Sequence, residues 1–273
     1  MTTPADRPRI GWHSVMTVDN ITSTTEDPAA PLVNLVNPAT YLQWRAIGET
    51  DEQWVATTLE EETTIDYVGV YGHNFGSQAI EFHVEYWNGS DWEQCLDPFI
   101  PLDDDRVIFK TFECVWSDQF RVRMVPDSGT TEPPEMAVLH LGRALTMPRR
   151  IYVGHTPMPF GREPRVTSGL SENGQFLGRV LEALGYETSV QFDNLSPSWI
   201  RQNFDPFIRH CITRPYFWTW RPSTYEDEAA YAWFTQIPKP TNQRENGMMS
   251  VGWSMDARFG MSGCRMAPVS SAG

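Results

Sequence analysis

The sequence predicts a mainly β protein, with an antiparallel sandwich in each half and one flanking helix in the second. Three observations lead there. Twenty-one prolines and 19 glycines are spread without a short repeat among brief apolar runs, as turns between strands are. Most of those runs alternate apolar and polar residues, the period of a half-buried strand. Only one stretch has helical spacing.

Taken in order, RIGWHSVMTV near the start alternates over a length that suits one strand, and TEDPAAP is a loop. LVNPATYLQWRA, DEQWVATTLEEETTIDYVGVYGHNF and AIEFHVEYWNGSDWEQCL each alternate as half-buried strands do. Asn88-Gly89 is the clearest hairpin signal, with φ > 0 expected at both turn positions. VIFKTFECVW and DQFRVRMVP supply two further strands, and MAVLHLGRAL closes the first half after a Ser/Gly/Pro loop. Around TMPRRIYVGHTPMPFGREPRV the composition turns to Pro and Arg, marking a domain boundary or crossover arm, so the division is 1–147 and 148–273. The last part of SGLSENGQFLGRVLEALGYETSVQFDNL alternates again as a strand. Ser196-Pro197-Ser198 opens a helix in which Trp199, Ile200, Phe204, Phe207, Ile208 and either Cys211 or Ile212 share a face, bent near Asp205 because Pro206 removes a helical hydrogen bond. PYFWTWRPS, AAYAWFTQIP and MMSVGWSMDARF are three more strands. A cut near residue 148 is therefore expected to release two folded pieces.

Charge narrows the function. The net charge is −14, and residues 1–147 hold 24 acidic against 8 basic side chains while 148–273 hold 11 against 13. Phosphate contacts need an excess of Lys and Arg, so specific nucleic-acid binding and adhesion to an anionic membrane are not expected. Lys110 and Lys239 are the only lysines; the remaining basic groups are Arg, which suits protein interfaces. No apolar run is long enough to span a bilayer, and MTTPADRPRIGW has no signal-peptide core, which points to folding in a cytoplasm.

The order of NLVNPATYLQWRA, WVATTL, IDYVGVYGHNF, the IEFHVEYWNGSDW hairpin and a late FRVRMV strand resembles the galactose-binding-like, discoidin-type jelly roll over residues 10–145. Members of that family often bind glycans or lipid head groups through variable end loops, so no binding residue transfers. YETSVQFDNL, the Ser-Pro-opened helix, PYFWTWRPS with its acidic YEDE turn, and MMSVGWSMDARF resemble the tube-forming domain of tailed-phage tail proteins over 150–262. Together they look like a distal tail or tail-tip protein of a long-tailed bacteriophage, though with the jelly roll placed first. The resemblance implies a structural virion protein that forms a three- or six-fold ring with itself, between a tube protein above and hub or fibre proteins below. The alternative is a carbohydrate-binding module for a host surface glycan, with Trp12, Tyr41, Phe75 and Trp92 as stacking candidates.

Chemistry is sparse. There is no GxSxG elbow, phosphate loop, GxGxxG or HExxH, and Ser171 reads as a turn residue, so neither an enzyme nor a cofactor is expected. The histidines at 13, 73, 83, 140, 155 and 210 lie in different elements without pairing, and read as strand or turn residues. Cys95, Cys114, Cys211 and Cys264 lack ligand spacing and read as small buried hydrophobes, with a Cys95–Cys114 disulfide as the alternative. Asp103, Asp104 and Asp105 are weak calcium candidates beside the simpler reading of a solvated turn. Glu60–Glu62 and the turn Glu226-Asp227-Glu228 are solvated, or pair between ring subunits with Arg149, Arg150 or Arg162. Tyr216 and Trp218 fall on one face of a strand and Phe217 on the other, so both faces are apolar. Either the helix covers the second face or a neighbouring subunit does, which makes Tyr216, Phe217, Trp218 and Trp220 interface candidates.

Overall fold

A computed structural model describes residues 6–102, 104–151, 154–243 and 247–258. The protein is mainly β, with antiparallel sheets in a sandwich and one helical segment. The strands are β1 (Arg9–Gly11), β2 (Ile21–Ser23), β3 (Trp44–Arg45), β4 (Gln53–Tyr71), β5 (Glu81–Trp87), β6 (Trp92–Gln94), β7 (Ile108–Val125), β8 (Glu135–Met136), β9 (Val138–Gly142) and β10 (Leu145–Thr146). Then follow β11 (Arg162–Leu170), β12 (Phe176–Leu195), β13 (Tyr216–Thr219), β14 (Ala229–Gln236), β15 (Thr241–Asn242) and β16 (Met249–Arg258).

The front half is built on β4 and β7. They pair along most of their length, with register breaks near Thr58/Thr63 and Ile65/Tyr67. VIFKTFECVW and DQFRVRMVP thus form one continuous strand rather than two. β2 joins β4, β5 joins β7, β6 pairs with β5, and β9 pairs with the end of β4 from Tyr67 to Tyr71. Val55, Val68, Val70, Phe82, Val84, Phe120, Val122 and Leu139 close over one core with Trp44 and Phe75. The β5–β6 hairpin forms where Asn88-Gly89 predicts it, but only Gly89 has positive φ, at +99°. The Asn88 side chain instead accepts the N–H groups of Ser90 and Asp91, both at 2.9 Å, which fixes a wider loop. LVNPATYLQWRA is mostly not a strand: it begins at the end of a 3₁₀ turn, Leu32–Val36, and contains only β3.

In the rear half the sheet runs β10-β1-β13-β14-β16-β12-β11, with β15 on β16. Two of its strands, β1 and β10, come from the first 147 residues. The helix consists of α1 (Pro197–Trp199), a π turn (Ile200–Phe204) and α2 (Asp205–Cys211). The N–H of Asp205 bonds to the carbonyl of Ile200, so the helix widens by one residue just before Pro206, whose ring would obstruct a regular turn. The widened turn keeps Ile200, Phe204, Phe207, Ile208 and Cys211 on the face that buries against Tyr216, Trp218, Val251 and Trp253.

A third cluster joins the halves: Tyr67, Val107, Phe109 and Val138 from the front meet Phe217, Ala229 and Tyr231 from the rear. The ring pairs Phe109–Phe217 and Tyr71–Tyr231 stack at 6.0 and 5.4 Å. Phe217 and Tyr231 stand on the sheet face away from the helix, so the front sandwich covers that face. Cys211 is buried, Cys95 half-buried and Cys114 exposed, and all three are free thiols. The alternative Cys95–Cys114 bond is therefore not formed, and Cys114 is not a buried hydrophobe; Cys264 lies outside the described residues.

Candidate assembly interface

The β11–β12 hairpin leaves the rear sheet beyond the helix. Every residue from Arg162 to Leu170 is exposed. Ser171 makes the turn as its sequence context suggests, accepting the N–H of Gly174 through its carbonyl at 2.8 Å and that of Gln175 through Oγ at 3.0 Å. Cross-strand partners fix the faces: Arg162 pairs with Tyr186, Pro164 with Leu184, Val166 with Leu181, Ser168 with Arg179 and Leu170 with Phe176. The opposite face carries Glu163, Arg165, Thr167, Gly169, Gly178, Val180, Ala183 and Gly185. The larger apolar residues fall mainly on one side, with Val180 and the small Ala183 on the other and Leu177 at the extra position of a second bulge near the turn.

A bulge maintains that division. Glu182 takes the extra position between Ala183, opposite Arg165, and Leu181, opposite Val166. It bonds Thr167 and pairs with Arg165 at 3.1 Å, while Leu181 stays in line with Val166. The apolar side continues inward through Leu184 and Tyr186 to Val190 and Phe192, which are core residues beneath the helix. The core face of the rear sheet thus runs on past its cover. Leu170 and Phe176 are 63% and 66% exposed, and Leu181 40%. β11 is also a sheet edge nine residues long, and the short β10 is the opposite edge.

Of the sequence-predicted interface residues, Tyr216, Phe217 and Trp218 are wholly buried within the chain and present nothing to a neighbour. The reason is topological: helix and rear core take Tyr216 and Trp218, and the front sandwich takes Phe217. Trp220 is half-buried, stacks on Tyr225 at 5.3 Å and donates to Glu228 at 2.6 Å. Arg149 donates to the Asn194 carbonyl at 3.0 Å, Arg150 is exposed, and Arg162 begins the hairpin. Glu226 and Asp227 lie 2.8 and 3.7 Å from Lys110 of the same chain, rather than against Arg149, Arg150 or Arg162. Glu60–Glu62 are exposed, with Glu62 accepting from Trp116.

Asp103 lies outside the described residues. Asp104 is committed to Arg106, and Asp105 accepts the N–H groups of Gly76 and Ser77, both at 2.9 Å. Among the described residues no group of His, Cys, Asp and Glu is arranged to hold a metal ion. Among the stacking candidates, Phe75 is fully buried and Trp12 packs on the rear core. Trp92 lies under the Arg121 guanidinium at 4.2 Å. Tyr41 is free, at 84% exposure. The histidines depart from expectation, since His13, His140 and His210 line one cleft although they are far apart in sequence.

No family model matches the sequence, and no curated protein matches it either. Solved structures similar to it include a pectin-binding carbohydrate-binding module, 15% identical over 48% of this chain and 91% of that one, with a TM-score of 0.38. A chitosan-binding module of a chitosanase/glucanase from Paenibacillus sp. IK-5 is 14% identical over 47% and 98%, with a TM-score of 0.40. The family 32 carbohydrate-binding module of C. perfringens NanJ, in complex with galactose, is 12% identical over 44% and 90%, with a TM-score of 0.37. Each of these modules corresponds to about half of this chain.

Proposed function

We propose that the protein is a structural subunit that assembles with copies of itself into a ring, at the tip of a bacteriophage tail, with the jelly roll as an accessory domain. The observation that carries the reading is the uncovered continuation of the rear core face along β11–β12. An apolar sheet face ending in an unpaired nine-residue edge is costly to leave in water, and proteins rarely keep one without a partner. A second copy suits it because the rear sheet has two unlike edges, β11 and β10. Addition of one copy to the next is then head-to-tail, the contact type that closes into rings. The sequence resemblance of residues 150–262 to tail-tube domains supports the tail assignment and, with it, location in the virion between tube and hub or fibre proteins. Assembly by packing requires no catalytic group.

Light scattering and negative-stain imaging of the full-length chain test the proposal. A three- or six-fold ring with a central hole is expected, and Leu181→Arg with Val166→Arg should give a monomer of unchanged melting temperature. A wild-type chain that stays monomeric at all concentrations and matches the double variant overturns the reading.

A second reading, glycan recognition by the front half, is favoured by Tyr41, whose ring is open to solvent on the loop before β3. A glycan array probed with the wild type and Tyr41→Ala separates the two readings: binding lost in the variant supports recognition, and a flat array removes it.

A further inference from the structure

Beside the buried cluster that joins the halves is a cleft of about 210 Å³, enough for several waters or one small anion. His13 follows β1, His140 lies on β9, His210 on α2, and Arg214 just beyond the helix. The rings of His13 and His210 stand 6.1 Å apart, with Trp12 edge-on to both at 5.7 and 5.1 Å. Among the described residues, the lining of this cleft contains no Asp or Glu, although the chain as a whole has a net charge of −14. His140 Nδ1 is buried without a hydrogen-bond partner.

We propose that this cleft is an oxyanion site, in which a phosphate- or carboxylate-sized group is held by the imidazoles of His13 and His210 and the guanidinium of Arg214, with His140 beside them. Four nitrogen-bearing side chains, drawn from three segments, converge here with no carboxylate among them. Arg214 is the fixed positive charge on the lining, and the three imidazoles lie within its field. Burial, then the charge of Arg214, holds His13 below the usual imidazole value. Burial, Arg214 and His13 do the same to His210. His140 is held at about 3 by burial and then by His210, His13 and Arg214. The other titratable side chain on the lining is Tyr231, raised by burial and then by Cys211 and Tyr71, whose hydroxyl donates to the Pro38 carbonyl at 3.4 Å. An anion entering here meets the Arg214 guanidinium and imidazole N–H groups with no carboxylate on the lining, and it draws protons onto the imidazoles as it binds. Because the site lies within one chain, it does not depend on ring formation.

The test is isothermal titration of the full-length protein with inorganic phosphate at pH 6.5, in two buffers of different ionisation enthalpy, with sodium chloride at matched ionic strength as reference. Saturable binding with net proton uptake is expected. Arg214→Gln, at an exposed position, should weaken it about tenfold, the effect of one charged hydrogen bond. His155→Gln, altering an imidazole beside Trp218 and Trp220 instead, should leave it unchanged. An acetate titration distinguishes sources: equal binding of acetate indicates a carboxylate ligand, and binding of phosphate alone a phosphate-bearing one. No saturable heat with either anion, equal affinity in Arg214→Gln, or binding without proton uptake overturns the proposal.

Discussion

Gly69 on β4 and Phe217 on β13 meet so closely that a Cβ placed on Gly69 would lie 2.6 Å from the Phe217 ring. Gly69 has no unusual backbone angle, so glycine is required there by the neighbour and not by the turn. Gly69→Ala should therefore force Phe217 away from Phe109 and cost about 1–3 kcal/mol, the usual range for overpacking a filled core. Urea unfolding of the two proteins measures it. A difference below a few tenths of a kcal/mol would mean that the two halves move apart without penalty.

How far the sequence discloses this arrangement depends on what each residue packs against. β13, β14 and β16 are legible because alternation reports burial, and β13 is rightly read as apolar on both faces. Which partner covers Phe217 is not legible, since Gly69 and Phe109 lie more than a hundred residues away. β11 and the outer part of β12 are hidden for the opposite reason: they face no core of their own chain, and their Pro, Gly and Arg content suits a linker, whereas the inner part of β12, which does face a core, alternates legibly. The bulge at Glu182 also shifts the alternation midway, so the apolar residues lose their strict period of two. β1 and β10, three and two residues long, carry too little pattern to show that they leave the front half for the rear sheet. The cleft of His13, His140 and His210 is likewise assembled by tertiary contact alone.

Glu85, on β5, is almost fully buried, and three side chains donate to it: Arg121 at 2.5 Å, Arg123 at 3.0 Å and Gln94 at 2.7 Å. Burial opposes its charge, but the two arginines prevail and hold its carboxyl below 4.5. A carboxylate depressed by folding lends stability that is present above the unfolded value and is lost as pH falls through the folded one. Glu85→Gln should cost about 1–3 kcal/mol at pH 7 and should flatten the decline of stability below pH 4.5. Chemical denaturation of both proteins at pH 7, 5 and 3.5 checks this; parallel curves would show that the arginines do not depend on the charge.

His73 donates from Nε2 to the Arg106 carbonyl at 2.9 Å and accepts the Phe75 N–H at Nδ1, so the fold holds one neutral tautomer. Burial lowers it to about 4, and lowers His140 to about 3. Both stay neutral in the folded chain at pH values where the unfolded chain, near 6.5, takes up protons. Stability from these groups is therefore complete above about pH 6.5 and falls below it, by about 1.4 kcal/mol per pH unit for each group until its folded value is reached. His140→Phe keeps a ring against Phe217, removes the unpaired Nδ1 and should halve the combined slope. Unfolding free energies from pH 7 to 4.5 in phosphate-free buffer provide the comparison, and an unchanged slope would remove His140 from the account.

Asp6 lies with the rear half, accepting from the Ser223 N–H at 3.0 Å, from Arg221 at 3.3 Å and from Thr224. Ile10 is fully buried in the rear core, and β1 is hydrogen-bonded between β10 and β13. A cut at 147/148 therefore removes two strands from the rear sheet and exposes Phe217 and Tyr231 there, with Tyr67 and Phe109 on the front piece. Against the expectation from composition alone, residues 148–273 produced by themselves should be insoluble or lack fixed tertiary structure. Co-expression with 1–147 should rescue them as a complex. The intact chain should melt in one calorimetric transition, because neither half buries its side of the shared cluster alone. Two independent transitions, together with a soluble 148–273 fragment showing native near-ultraviolet circular dichroism, would mean that the shared strands are dispensable and that the boundary read from composition divides the folding units.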